Sequence, residues 1–257
     1  MPPPVVINPC DTAKIPTANF KIYDYVDTDY FLDSEAFAPY WQNIDTDTIF
    51  MNAAVFEANE YNGKYKWQLG AETITNRRFS RTDYPLNSLI NVSLQMTKKH
   101  QFYGQCFPTT DTVFTKYRSF KRIDRKDWRQ SKVIGKYQGK FMHKPNEVKI
   151  LELGTSPGQC PLSAEPGTVC DTYKIIGLDG VCSPLVNPYG NLAFITKRQL
   201  YFSYERNTDI PQCTKFLSGI FRVHGNNDDS LTVVYKVYPD NSNPNVPMYT
   251  FKGKRIQ

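Results

Sequence analysis

From about Glu60 onward the chain is a succession of short apolar segments cut apart by Pro, Gly, Asn or Asp. LINVSLQM, DTVFTKYRSF, KVIGKYQGKFM, EVKILEL, TYKIIGL, LAFITKRQLYFSYE, SGIFRV, SLTVVYKVYP and MYTFKG follow one another in this way. Most are only four to about ten residues long, and they are rich in β-branched and aromatic residues, which suit a pleated, half-buried surface. The 17 Tyr and 16 Phe strengthen that bias, and 18 Pro with 14 Gly supply the punctuation. The pattern predicts a mainly β fold, an antiparallel sandwich or barrel-like domain of roughly ten to twelve short strands with one or two short helices.

The first third is more mixed. Residues 1–18 read as an extended, Pro-rich entry segment, and 19–257 as a single β-rich domain, since no repeat or linker divides them. NFKIYDYVDTDYF, residues 19–31, alternates like a strand. DSEAFAPYW predicts a short helix capped by Asp33 or Ser34 and limited by Pro39. DTIFMNAAVFEA fits a strand or a helix, and Asn62-Gly63 between aromatic-rich flanks predicts a hairpin turn. SFKRIDRKDWRQSK has the length and propensity for a second helix. No run of about 18 apolar residues is present, which excludes a membrane-spanning helix.

MPPPVVINPC has neither a basic start nor an apolar stretch, so no signal peptide is visible in it. Either the protein stays in the cytosol, or Met1 begins a mature chain or a piece of a longer one. Six cysteines, at 10, 106, 160, 170, 182 and 213, show no CxxC spacing and no nearby histidine, so they predict disulfides in an oxidising setting rather than a metal site.

Charge is uneven along the chain. The net formal charge is +6, yet residues 1–75 hold eleven Asp and Glu against four Lys and Arg. Residues 116–144 reverse this, with eleven Lys and Arg against Asp124 and Asp127. Arg118, Lys121, Arg122, Arg125, Lys126 and Arg129 alternate there with rings including Trp128. Cations interleaved with aromatics can contact a polyanion or a glycan, and these seven residues form the candidate site. The competing reading is a solvated face that offsets the acidic first third. Only cations gathered on one face would favour binding.

VKILELGTSPGQ, residues 148–159, carries a different implication. An apolar strand, an acid, Leu-Gly, two residues and Pro-Gly resemble the cofactor loop of the RNA ribose methyltransferases that use S-adenosylmethionine. The resemblance covers Ile150 to Gly158. It implies an α/β Rossmann-like fold, with Lys132 and Lys236 as catalytic lysines and Asp179 on the cofactor's ribose. Physical objections stand against it. Pro161, Pro166 and Gly167 break the helix that should follow the turn, each proline at a cost of about 3 kcal/mol. Few helices are available after Ser183, and Tyr204 stands where the catalytic acid belongs.

No histidine pair, nucleophile elbow or calcium loop is present, so no metal or cofactor is expected. One glycosylation sequon, Asn91-Val92-Ser93, falls in a predicted strand. The expectation is a non-enzymatic recognition domain of a virion surface or a secreted binding protein, meeting a protein receptor or glycan through polar and aromatic loops. A symmetric homo-oligomer suits such a role. The alternatives are the methyltransferase and a β-barrel carrier of a small apolar ligand, and for location the cytoplasm.

Overall fold

A computed structural model describes residues 8, 10, 13–27, 29, 34–100, 105–107, 112–124, 130–156, 172–179, 185–186, 196–204, 216–238 and 246–256. The first strands are β1 (Phe20–Asp24), β2 (Thr48–Ile49), β3 (Ala54–Ala58), β4 (Lys64–Leu69), β5 (Glu72–Ile74) and β6 (Arg78–Arg81). Two long strands follow, β7 (Leu89–Lys98) and β8 (Thr112–Arg122). Then come β9 (Gly135–Phe141), β10 (Lys144–Ser156), β11 (Thr172–Ile176), β12 (Leu185–Val186) and β13 (Gln199–Tyr204). The last are β14 (Phe216–His224), β15 (Ser230–Tyr238) and β16 (Met248–Ile256). A four-residue helix, Ser34–Phe37, runs into a 3-10 turn, Ala38–Tyr40, which takes Pro39 into its first positions. The mainly β expectation holds, with sixteen described strands because pieces of two or three residues escape a pattern read over longer windows.

The strands form three sheets, ordered β1-β3-β6, β2-β8-β7-β4-β5 and β12-β11-β10-β9-β16-β15-β14-β13. The first two pack as a sandwich. Phe20, Ile22 and Phe56 from one meet Trp67, Leu94, Met96 and Phe120 from the other. Trp67 is fully buried, with the Phe20 ring at 5.0 Å, Phe79 at 5.3 Å and Phe56 at 6.3 Å. Its indole N–H donates to the Asn76 carbonyl at 2.8 Å, so the ring is buried without an orphaned donor. Cys10 and Cys106 are joined by a disulfide across 96 positions. The other four cysteines lie outside the described residues.

The eight-stranded sheet builds a second core. Ile175 near one end of the strand order and Leu200 and Phe202 at the other belong to one buried cluster with Tyr137, Phe141, Phe221, Tyr235 and Phe251. Strands so far apart in the order share a core only if the sheet curls, as twisted sheets of this width do. Phe50 and Ile123, from the first half of the chain, complete the cluster. On the opposite face Tyr201, Ile220 and Val234 are covered by Phe37, with Val26, Trp41 and Met248 packed against them. Gln42 and Gln199 exchange hydrogen bonds at the end of this cover.

Three expectations are corrected. Every described strand pair is antiparallel except the short β2–β8 contact, and β10, which carries the VKILELGTS stretch, lies antiparallel between β9 and β11. That topology overturns the Rossmann-like alternative, whose sheet is mostly parallel. Residues 157–171, behind the stretch, lie outside the described residues. Asn62-Gly63 does turn the chain, with Asn62 at φ 58°, but β3 and β4 join different sheets. The hairpin is instead β4–β5, closed by Gly70 at φ 54° with Leu69 opposite Glu72. Ser119–Arg122, expected to begin a helix, ends β8, and residues 125–129 lie outside the described set. DTIFMNAAVFEA resolves into strands.

Close backbone packing makes one glycine decisive. A Cβ on Gly139 would stand 2.1 Å from the Lys252 carbonyl oxygen and 2.4 Å from the Gly253 Cα. At Gly154 the nearest atom is a glutamate oxygen of Glu152, 4.0 Å away. Gly139→Ala should therefore lower stability by about 1–3 kcal/mol, while Gly154→Ala stays near neutral. Equal melting temperatures in a thermal scan of the two variants would refute the close-packing account.

Candidate functional site

Strand alternation divides the predicted basic residues of β8 between two faces. Phe114 and Phe120 turn toward the sandwich core, and Arg118 and Arg122 share their parity. Arg118 donates to the Phe20 carbonyl at 2.8 Å, to Asp45 at 2.7 Å and to the Thr46 carbonyl at 3.2 Å. Arg122 donates to the Tyr84 carbonyl. Both guanidinium groups therefore fasten the protein's own chain. Lys121 is exposed on the other face, and Arg125, Lys126, Trp128 and Arg129 lie outside the described residues.

Arg122 lies close to an unusual carboxyl. Asp24 is 5 % exposed and accepts hydrogen bonds from the Phe50 amide at 2.8 Å and the Met51 amide at 3.1 Å. Burial raises its pKa to about 8, against the opposing pull of those two amides and the Arg122 charge. This aspartic acid joins the first sheet to the residues leading into the second core, a structural duty.

The outward face of β8 is different. Val113, Thr115, Tyr117, Ser119 and Lys121 are all exposed, Tyr117 to 75 %. Ser93 on β7 stands opposite Tyr117, Gln68 on β4 opposite Ser93, and Asn91 opposite Ser119. These residues line an open hollow of about 490 Å³ beside the Gly70 turn. The Gln68 amide is held in place, donating to the Gly70 carbonyl at 2.7 Å and accepting from the Thr73 hydroxyl at 3.1 Å. Arg118 and Val92 also line the hollow, and an aromatic face beside amides and hydroxyls can stack on a sugar ring while bonding its hydroxyls. No carboxylate or histidine lines the hollow to serve as a general base. Only Tyr117 and the Asn91 sequon were visible in the sequence. Gln68 and Ser119 could not be placed beside them without the register.

The three residues implied by the methyltransferase resemblance do not assemble. Asp179 is bound by His143 at 2.6 Å and by Lys144 at 3.0 Å, and its carboxyl is held below the usual range by Lys144 first and His143 next, which together outweigh burial. Tyr235 donates to the Asp179 carbonyl at 2.9 Å, so the adjacent Lys236 points from the opposite face of β15. Lys132 is exposed before β9. Among the described residues no group of three His, Cys, Asp or Glu is placed to hold a metal ion. No described helix is long and apolar enough to cross a membrane. No protein-family model matches the chain, and no curated protein matches it significantly.

The Asp24 carboxyl gives a pH signature. Its folded pKa of about 8 lies above the ordinary 3.8, so the native state retains a proton that the unfolded chain releases. Its contribution is full below the ordinary value and is lost as pH rises toward 8. Denaturant melts of Asp24→Asn at pH 5 and pH 8.5 should show a smaller loss of stability with rising pH than the parent. Identical slopes would remove Asp24 as the source.

Proposed function

We propose that the protein is a non-enzymatic recognition domain of an extracellular or virion surface that binds a neutral glycan through the hollow around Tyr117. The observation that carries this reading is the Tyr117 ring, 75 % exposed on one side of a hollow that Gln68, Asn91, Ser93 and Ser119 line together with Val92 and Arg118. A rigid sheet holds the ring, so little ordering entropy opposes contact. The Gln68 amide is fixed before any ligand arrives.

The Cys10–Cys106 disulfide supports an oxidising location, since such bonds are rare in the cytosol. The concave face of the eight-stranded sheet argues against the carrier reading. Tyr137, Phe141, Phe202, Phe221, Tyr235 and Phe251 are at most 1 % exposed. Phe141 and Phe251 touch at 5.2 Å and Phe202 and Phe221 at 4.8 Å, so these rings pack on one another as a core.

Asn91 stands in the same hollow and begins the sequon, so an attached N-glycan and a bound ligand exclude one another there. Protein made in a host without N-glycosylation should bind one or more neutral oligosaccharides of a panel. Tyr117→Ala should weaken that binding at least about tenfold, or 1.4 kcal/mol, with Tyr117→Phe close to the parent. Unchanged affinity in Tyr117→Ala, or no binding by the parent to any member of the panel, would overturn the reading.

A further inference from the structure

Among the described residues, one part of the outer face of the eight-stranded sheet is covered and another part is exposed. The row Tyr201–Ile220–Val234 lies under Phe37 and its neighbours. The next outward row crosses five strands, Lys140 on β9, Lys252 on β16, Thr232 on β15, Arg222 on β14 and Gln199 on β13. Gln199, fully buried, is where the covering segment is pinned by Gln42, and exposure begins further along the row toward Lys252 and Lys140. The row beyond holds Gln138, Lys254, Ser230 and His224.

Alternation fixes the direction of these side chains. Phe141, Phe251, Val233, Phe221 and Val223 point into the core, and their neighbours along each strand point out. Lys140, Lys252, Lys254 and His224 are exposed and Arg222 is half-buried. His224 registers the company it keeps. Its pKa is lowered by burial first and then by the positive charge of Arg222 and Lys252, with Asp229 opposing.

The cations of this patch differ from three others on or beside the same sheet. On the same sheet Lys136 meets Glu152 at 3.2 Å, Lys149 meets Glu147 at 3.4 Å and Arg198 meets Asp228 at 2.8 Å. Lys140, Lys252, Lys254 and Arg222 make no ion pair among the described residues. Lys140 and Lys252 stand directly opposite each other, an arrangement that destabilises a sheet. A local rule broken without compensation in the folded chain is expected at a functional site.

We propose that this exposed part of the sheet binds a sulfated polysaccharide, with Lys140, Lys252, Lys254 and Arg222 meeting its sulfates and Thr232, Ser230 and Gln138 its hydroxyls. Strands lie about 4.8 Å apart, so the cations from β9 to β14 form a line on the order of 15 Å long. A linear polyanion can follow such a line, releasing counterions as it binds. Single-stranded nucleic acid would call for exposed rings on which bases stack. The two bare rows present Lys, Arg, Thr, Ser, Gln and His instead. The site lies on a different sheet from Tyr117 and does not depend on the glycan reading.

Heparin, measured by titration and by the salt that elutes the protein from a heparin column, is the probe. The parent should bind and weaken steeply with salt. Lys140→Gln combined with Lys252→Gln should weaken binding at least tenfold and elute at lower salt, with a melting temperature unchanged or raised as the repulsion is relieved. Lys64→Gln with Lys66→Gln, an equal charge change on the five-stranded sheet, should stay within twofold of the parent. No heparin binding by the parent, or equal losses in the two double variants, would overturn the proposal. So would tighter binding to single-stranded DNA or to phosphatidylserine vesicles that the Lys140/Lys252 variant abolishes.

Discussion

A strand that buries one face must offer every second side chain to water, and this protein is organised around what it does with that second set. In the eight-stranded sheet the inward set is aromatic and aliphatic enough to draw β11 and β13 into one core. Curling the sheet leaves a convex face that a single covering segment cannot blanket. Phe37, Trp41 and Gln42 protect part of it, and the cationic rows remain. The same rule in β8 sends Phe120 inward beside two structural arginines and leaves Tyr117 outside. Both surfaces are thus by-products of core packing, placed by register rather than by loops.

The two cores are also tied to each other through particular residues. Phe50 and Ile123 leave the sandwich strands to enter the second cluster. Asp47 and Lys197 form an ion pair at 2.7 Å, and the amide of Lys132 donates to the Lys197 carbonyl at 2.7 Å. The Asp24 carboxyl organises the amides of Phe50 and Met51 at the point where the chain turns from one core to the other. A buried group bonded to two backbone amides fixes the path of that crossing more firmly than surface ion pairs would.

Much of the fold class was legible because β-branched and aromatic segments between turn residues report strands whatever their partners. Partnership was not legible. Asn62-Gly63 has the composition of a hairpin turn, yet the strands it separates enter different sheets that face each other across one core. The LELGTSPG pattern is a local likeness, and antiparallel neighbours on both sides of β10 decide its meaning. In the basic segment, composition was visible but direction was not. Arg118 and Arg122 turn to backbone carbonyls, Lys121 turns outward, and Lys140 joins Lys252, more than a hundred positions away in sequence. Linear charge density has no knowledge of such a meeting, which only cross-strand register creates.

The Cys10–Cys106 bond has a mechanical consequence. A tension applied to the chain ahead of Cys10 would run through the sulfur atoms to Cys106 and on toward β8, by-passing every strand from β1 to β7. The sandwich strands inside that covalent ring would carry none of the load directly. A domain that grips a surface while being pulled from its leading end would therefore transmit force into β8, the strand that bears Tyr117.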